Sequence, residues 1–139
     1  MKIMGIDYGD ARTGVAISDL RCTIVGSTTV VRSRNTEKAI ADIVKLVKDN
    51  QVGLIVVGLP RNMDGSEGAR AQLCREFADL LKEAANVEVT MWDERRTTVE
   101  AHNILSQHNY HGQKRKDTVD AVAASLILEG YLAFHNRKP

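Results

Sequence analysis

Three acidic positions stand where a carboxylate would have something to act on. Asp7 ends the apolar run Ile3-Met4-Gly5-Ile6 and opens the glycine-punctuated stretch Tyr8-Gly9-Asp10-Ala11-Arg12-Thr13-Gly14. An acid at the carboxyl end of a central strand faces the crevice where open α/β sheets bind ligands; the same residue could serve only to start a turn through its own backbone. Asp93 and Glu94 follow another expected strand and precede Arg95 and Arg96. Alternation puts Glu94 on the face of Thr90 and Trp92, and Asp93 on that of Val89 and Met91, so one acid of the pair points into a given cleft. A solvated polar loop would explain the same four residues.

Asp120 is the most telling. The segment around it is apolar nearly all round (Val119, Val122, Ala123, Leu126, Ile127), and its i+4 and i+7 neighbours are Ala124 and Ile127. An ionised carboxylate on such a stripe is costly unless a cation or several donors meet it. An acid in a first helical turn is also favoured by the macrodipole, and Asp117 reads most simply as the N-cap. If the three acids converge they repel one another, and an oxygen-rich anionic site is what Mg²⁺ or Mn²⁺ binds. Two such ions can activate water and stabilise the leaving oxygen of a phosphodiester. That chemistry needs no His or Cys nucleophile.

Basic residues fall beside these acids. Arg12, Arg61, Arg95 and Arg96 lie in expected loops at strand ends, and Lys114, Arg115 and Lys116 close a polar stretch over 107–116. With His108, Tyr110 and His111 that stretch has the composition of a loop that contacts phosphates, or of a merely solvated one. The loop over 58–68 leads into a helix start, where backbone N–H groups can bind phosphate and Ser66 can cap. Its glycines match neither a P-loop nor G-x-G-x-x-G.

The elements that must position these residues follow from periodicity. Strands are expected at 2–8, 14–18 and 23–31, joined by turns too short for parallel pairing and therefore antiparallel. From Asn35 the period is helical, with Ile40, Ile43, Val44 and Val47 on one face, stopping near Asn50. The continuous apolar run 54–59 suits a central parallel strand buried on both faces. A helix over 66–85 has Ala69, Leu73, Phe77, Leu80 and Ala84 along one stripe. A strand at 87–92, a short helix opened by the capping box Thr97 and Glu100, and a last helix from about 117 to 134 complete the order. The fold class is α/β: a mixed five-stranded sheet, an antiparallel three-strand meander on one side and crossover-connected parallel strands on the other, with helices on both faces.

A chain of 139 residues is expected to form one domain over 1–139, since domains cluster around ~100–150 residues. Hydrophobic residues at 43% and charged residues at 27% allow a core and exclude a disordered or collagen-like chain. A net charge of +1 places any nucleic-acid contact on local patches. The apolar start is too short for a signal peptide, no run approaches the ~20 residues that cross a bilayer, and Cys22 and Cys74 have no zinc-type spacing. A cytoplasmic protein is expected.

The motifs resemble the YqgF family, also called RuvX, of ribonuclease-H-like resolvases and pre-16S rRNA nucleases. They are Gly5-Ile6-Asp7-Tyr8-Gly9, Thr13-Gly14-Val15-Ala16, Ser18-Asp19, Gly58-Leu59-Pro60, Asn62-Met63-Asp64-Gly65-Ser66, Asp93-Glu94-Arg95, Thr97-Thr98, Lys116-Asp117 and Asp120-Ala121-Val122-Ala123-Ala124. The resemblance spans almost the whole chain and implies a ribonuclease-H-like sheet with Asp7, Glu94 and Asp120 as catalytic and metal-binding acids for Mg²⁺ or Mn²⁺. Where Holliday-junction resolvases carry a glutamate at the central parallel strand, this chain has Gly58-Leu59-Pro60, and the acid has moved to Glu94.

The expected function is a metal-dependent nuclease that hydrolyses phosphodiester bonds in structured nucleic acid, foremost at the 5′ end of 16S rRNA precursor, with Arg12, Arg61, Arg95, Lys114, Arg115 and Lys116 on the nucleic-acid backbone. A resolvase of branched DNA and a non-catalytic RNA-binding assembly factor are the alternatives.

Overall fold

The computed structural model describes residues 1–96 and 112–137, with side chains from 119 to 136 in the second stretch. β1 (Lys2–Asp7), β2 (Arg12–Ser18) and β3 (Val25–Arg32) form an antiparallel meander. Its second turn is closed by Asp19, whose carboxylate accepts from Thr23 N and Oγ1, each at 2.8 Å. α1 (Thr36–Asp49) starts where Asn35 Oδ1 accepts from Lys38 N at 3.1 Å, an N-cap bond. β4 (Val52–Leu59), α2 (Ala69–Ala85) and β5 (Glu88–Asp93) follow, then a 3₁₀ turn at Glu94–Arg96 and α3 (Gly112–Arg137). The sheet order is β3-β2-β1-β4-β5, with β1, β4 and β5 parallel. The fold is the expected α/β sheet with helices on both faces. The short helix expected from Thr97 lies outside the described residues.

Period-two alternation assigns each strand residue to one of two cores. Met4, Ile6, Val15, Ile17, Ile55 and Val57 pack with α1 and α2, whereas Ile3, Ala16, Leu54, Val56 and Trp92 pack with Ala124, Ile127, Leu128 and Leu132 of α3. The stripe along α2 differs from expectation. Its buried residues are Ala71, Cys74, Phe77, Ala78 and Leu81, while Leu73 and Leu80 are exposed. Small residues let the helix approach the sheet closely, and the larger leucines are turned to solvent. The start of α2 is also later than expected: Gly68 is the N-cap and makes no side-chain bond. Ser66 instead closes the preceding loop, its Oγ donating to Asp64 at 2.6 Å.

α3 begins at Gly112, five residues before the expected start, so the backbone of Lys114, Arg115 and Lys116 is helical rather than a loop. Gln, Lys and Arg are good helix formers, and a polar run at the end of an apolar helix extends it readily.

Candidate active site

Alternation puts Asp7 on the α3 face, two residues beyond Gly5 and four beyond Ile3. Glu94 leaves β5 on the same face as Trp92, as expected, and Asp120 reaches that face from the first third of α3. Two glycines let α3 sit low enough. A Cβ on Gly14 would stand 2.1 Å from the carbonyl oxygen of Asp120, and one on Gly58 would meet Glu94 Oε1 at 2.6 Å and Ile127 Cδ1 at 2.5 Å. The Glu94 carboxylate fills the space above Gly58 at the end of the central strand. The apolar stripe predicted beneath Asp120 is present, since Ala124 and Ile127 are both buried.

The electrostatics follow from this convergence. The Asp7 carboxyl is pushed up to about 7, first by burial, then by the charges of Glu94 and Asp120, and by a hydrogen bond shared with Glu94. Asp120, with its side chain 20% exposed, accepts from Arg12 Nε at 2.9 Å. Among the described residues no three acidic, imidazole or thiol side chains are gathered closely enough to ligate one ion. The donor chemistry of the three carboxylates fits Mg²⁺ or Mn²⁺, which take oxygen ligands.

Two residues near the site were not singled out by sequence reasoning in these roles. Arg70, on the first turn of α2, is the cation that opposes the rise of Asp7. It donates to Tyr8 O, pairs with Asp10 at 3.1 Å and lies 5.1 Å above the Tyr8 ring, which stacks on Phe77 at 4.1 Å. This stack pins the turn after β1 to α2 and so orients Asp7. Arg12 was expected on phosphate, and its bond to Asp120 spans 108 residues. No local spacing signals such a contact.

The other expected residues are placed as follows. Arg95 binds its neighbour Asp93 through Nε and Nη2, the latter at 2.7 Å, so Asp93 is committed to the loop rather than to the other acids. That pairing holds the Asp93 carboxyl below the usual carboxylate range. Arg61 Nη2 lies 3.4 Å from Glu67, which also clamps Arg75 at 2.6 Å. The side chains of Lys114, Arg115, Lys116 and Asp117 lie outside the described ones.

The class to which this sheet belongs is visible in solved structures. Thermus thermophilus RuvC in complex with a Holliday junction substrate superposes with a TM-score of 0.64 at 14% identity, over 100% of this chain and 99% of that one. The fowlpox virus Holliday junction resolvase gives 0.59 at 15% identity, over 96% and 99%. At such identities the likeness is one of fold, the RuvC-type nuclease fold. The RuvX family model, described as Holliday junction resolvase, matches residues 1–134, and the chain belongs to that family. A protein of Halothermothrix orenii is 46% identical over 138 residues, covering 99% of this chain and 98% of its own length. One of Thermoanaerobacter pseudethanolicus is 42% identical over 139 residues, covering 99% and 100%. Both carry the name "Putative pre-16S rRNA nuclease".

Proposed function

We propose that this chain is a divalent-metal-dependent endonuclease of structured RNA that matures the 5′ end of 16S rRNA precursor in the cytoplasm. The observation that carries the reading is the Asp7 carboxyl at about 7, raised by burial and by two further carboxylates that distant segments bring to one crevice. A divalent cation would relieve the mutual repulsion of these carboxylates, which Arg12 and Arg70 offset only in part. Asp7, Glu94 and Asp120 would hold Mg²⁺ or Mn²⁺, which when bound supplies Lewis acidity toward a phosphate oxygen and an activated water.

The chain's own residues do the rest. Asp7 loses its proton to reach the ligating form, and Arg70, which opposes the rise of its carboxyl, keeps it oriented. Arg12 exchanges the Asp120 carboxylate for a backbone phosphate, which accepts the same donors. Arg61, Arg95, Lys114, Arg115 and Lys116 supply further backbone contacts, which makes binding salt-dependent. The names of the full-length relatives support the RNA substrate.

The experiment compares wild type with Asp7→Asn on separately labelled 16S precursor leader and four-way DNA junction. Cleavage of the leader by wild type alone is expected. Equal cleavage by Asp7→Asn would overturn the site. Paired cuts confined to the junction would favour the second reading, a resolvase, which the family's description supports.

A further inference from the structure

Beyond the three acids, the sheet's outer edge holds a second feature. A cavity of about 360 Å³ lies along β5, between the end of β4 and the helices on either face. That volume is at the low end of the range for small-ligand sites, ~300–1,000 Å³. Its walls combine Arg61, Arg75 and Arg96 with Trp92, Tyr131 and Phe134. The Arg96 guanidinium lies 5.0 Å from the Trp92 ring centre and 5.2 Å from that of Phe134. Among the described residues it meets no carboxylate, whereas Arg75 is held by Glu67 and Arg95 by Asp93. Arg61 Nη2 lies 3.4 Å from Glu67, but among the described residues its Nε is buried without a hydrogen-bond partner. An unmet guanidinium N–H is a standing cost that an anionic acceptor would remove. Phe134 is 39% exposed, a large apolar ring kept at the surface beside a cation.

Cation and aromatic ring side by side, over a pocket of this size, fit a ligand with one anionic group and one flat π face. We infer that the cavity receives a single unpaired nucleotide of the substrate strand, its base against Phe134 and the Arg96 plane and its phosphate on Arg61. This rests on the nuclease reading and extends it, since Asp93, on the cavity wall, is adjacent to Glu94 in the chain. A nucleotide bound there sits beside the crevice of the three acids. The site therefore selects substrates with an unpaired nucleotide next to the cut over continuous duplex. Base–aromatic stacking tolerates any base, so the preference is for strand state rather than sequence.

The chain contains a single tryptophan, Trp92, on the cavity wall, so its emission reports occupancy directly. The full chain, in chelator and without metal, is titrated with labelled single-stranded RNA and DNA tetramers, following anisotropy and Trp92 emission together. Wild type is expected to bind the tetramers with a change in Trp92 emission. Phe134→Ala and Arg96→Ala should each weaken binding about tenfold, and Phe134→Trp should restore it in anisotropy. Thermal melts confirm that each variant is folded. Unchanged Trp92 emission at saturation, or folded variants that bind as tightly as wild type, would overturn the assignment. The outcome is independent of cleavage. Quenching without any wild-type cleavage would sink the nuclease reading alone, and cleavage with a silent Trp92 would sink this site alone.

Discussion

The two faces of the sheet are built from the same strands and differ in almost every physical respect. Against α1 and α2 the strands present Met4, Ile6, Val15, Ile17, Ile55 and Val57, a continuous apolar layer. Against α3 the same strands present Gly5, Gly14 and Gly58 between the larger residues, and at the carboxyl ends Asp7 and, beyond β5, Glu94. One face holds the fold together; the other brings a helix close enough to place Asp120 among two other acids. Both parities of each strand carry buried core residues, and the candidate site is confined to the parity that faces α3.

That division can be broken most forcefully at Asp7. Asp7→Asn should reduce cleavage on the order of a thousandfold, since loss of a metal ligand removes several kcal/mol of transition-state stabilisation and each 1.36 kcal/mol is tenfold. On the opposite face, Ile43→Ala should lower stability by about 3 kcal/mol through the cavity it leaves, seen as a lower denaturation midpoint, with cleavage per folded molecule unchanged. Loss of cleavage greater than loss of folded protein would blur the division. Gly14→Ala tests the approach of α3. Its added methyl meets the Asp120 carbonyl, so it should cost about 2 kcal/mol and also weaken metal binding, which isothermal calorimetry measures.

A smaller effect concerns pH. The folded-state carboxyl of Asp7 is raised to about 7, so the folded state binds the proton more tightly than the unfolded chain. The contribution of this one carboxyl to the metal-free fold is therefore fully present below the ordinary carboxylate range and is lost as pH rises from about 4 to about 7. Asp7→Asn should remove that slope and leave the metal-free variant about 2 kcal/mol more stable than wild type at pH 8, in thermal melts across pH. An acid-side loss no steeper in the variant than in wild type would contradict the raised Asp7 carboxyl.

Much of this arrangement is legible in the sequence, and what is missing has a common cause. The run 54–59 announces a buried parallel strand because only such a strand is apolar at every position, and Asp120 stands out because its own helical stripe is apolar. Alternation puts Glu94 and Asp93 on opposite faces, and the family resemblance picks Glu94 of the two. The α2 stripe was misread because Leu73 and Leu80 outweigh Ala71 and Ala78 in hydrophobicity, while closeness of packing favours the small residues. The start of α3 was misplaced because a polar run reads equally as loop or as solvated helix. Pairings between distant residues, Arg12 with Asp120 and Arg70 with the turn after β1, leave no local trace at all. The alternating glycines Gly5, Gly14 and Gly58 are the signal that would have predicted a helix lying close on one face.

The central claim is that Asp7, Glu94 and Asp120 form one cation site held partly protonated in the absence of metal. Its most direct test is Mn²⁺ titration of wild type and Asp7→Asn by calorimetry at pH 6 and pH 8 in buffers of different ionisation enthalpy. Binding should release close to one proton at pH 6 and little at pH 8, with affinity in wild type falling at the lower pH. Asp7→Asn should bind far more weakly and release none. Equal Mn²⁺ affinity in the two proteins, or no proton release by wild type at pH 6, would contradict it.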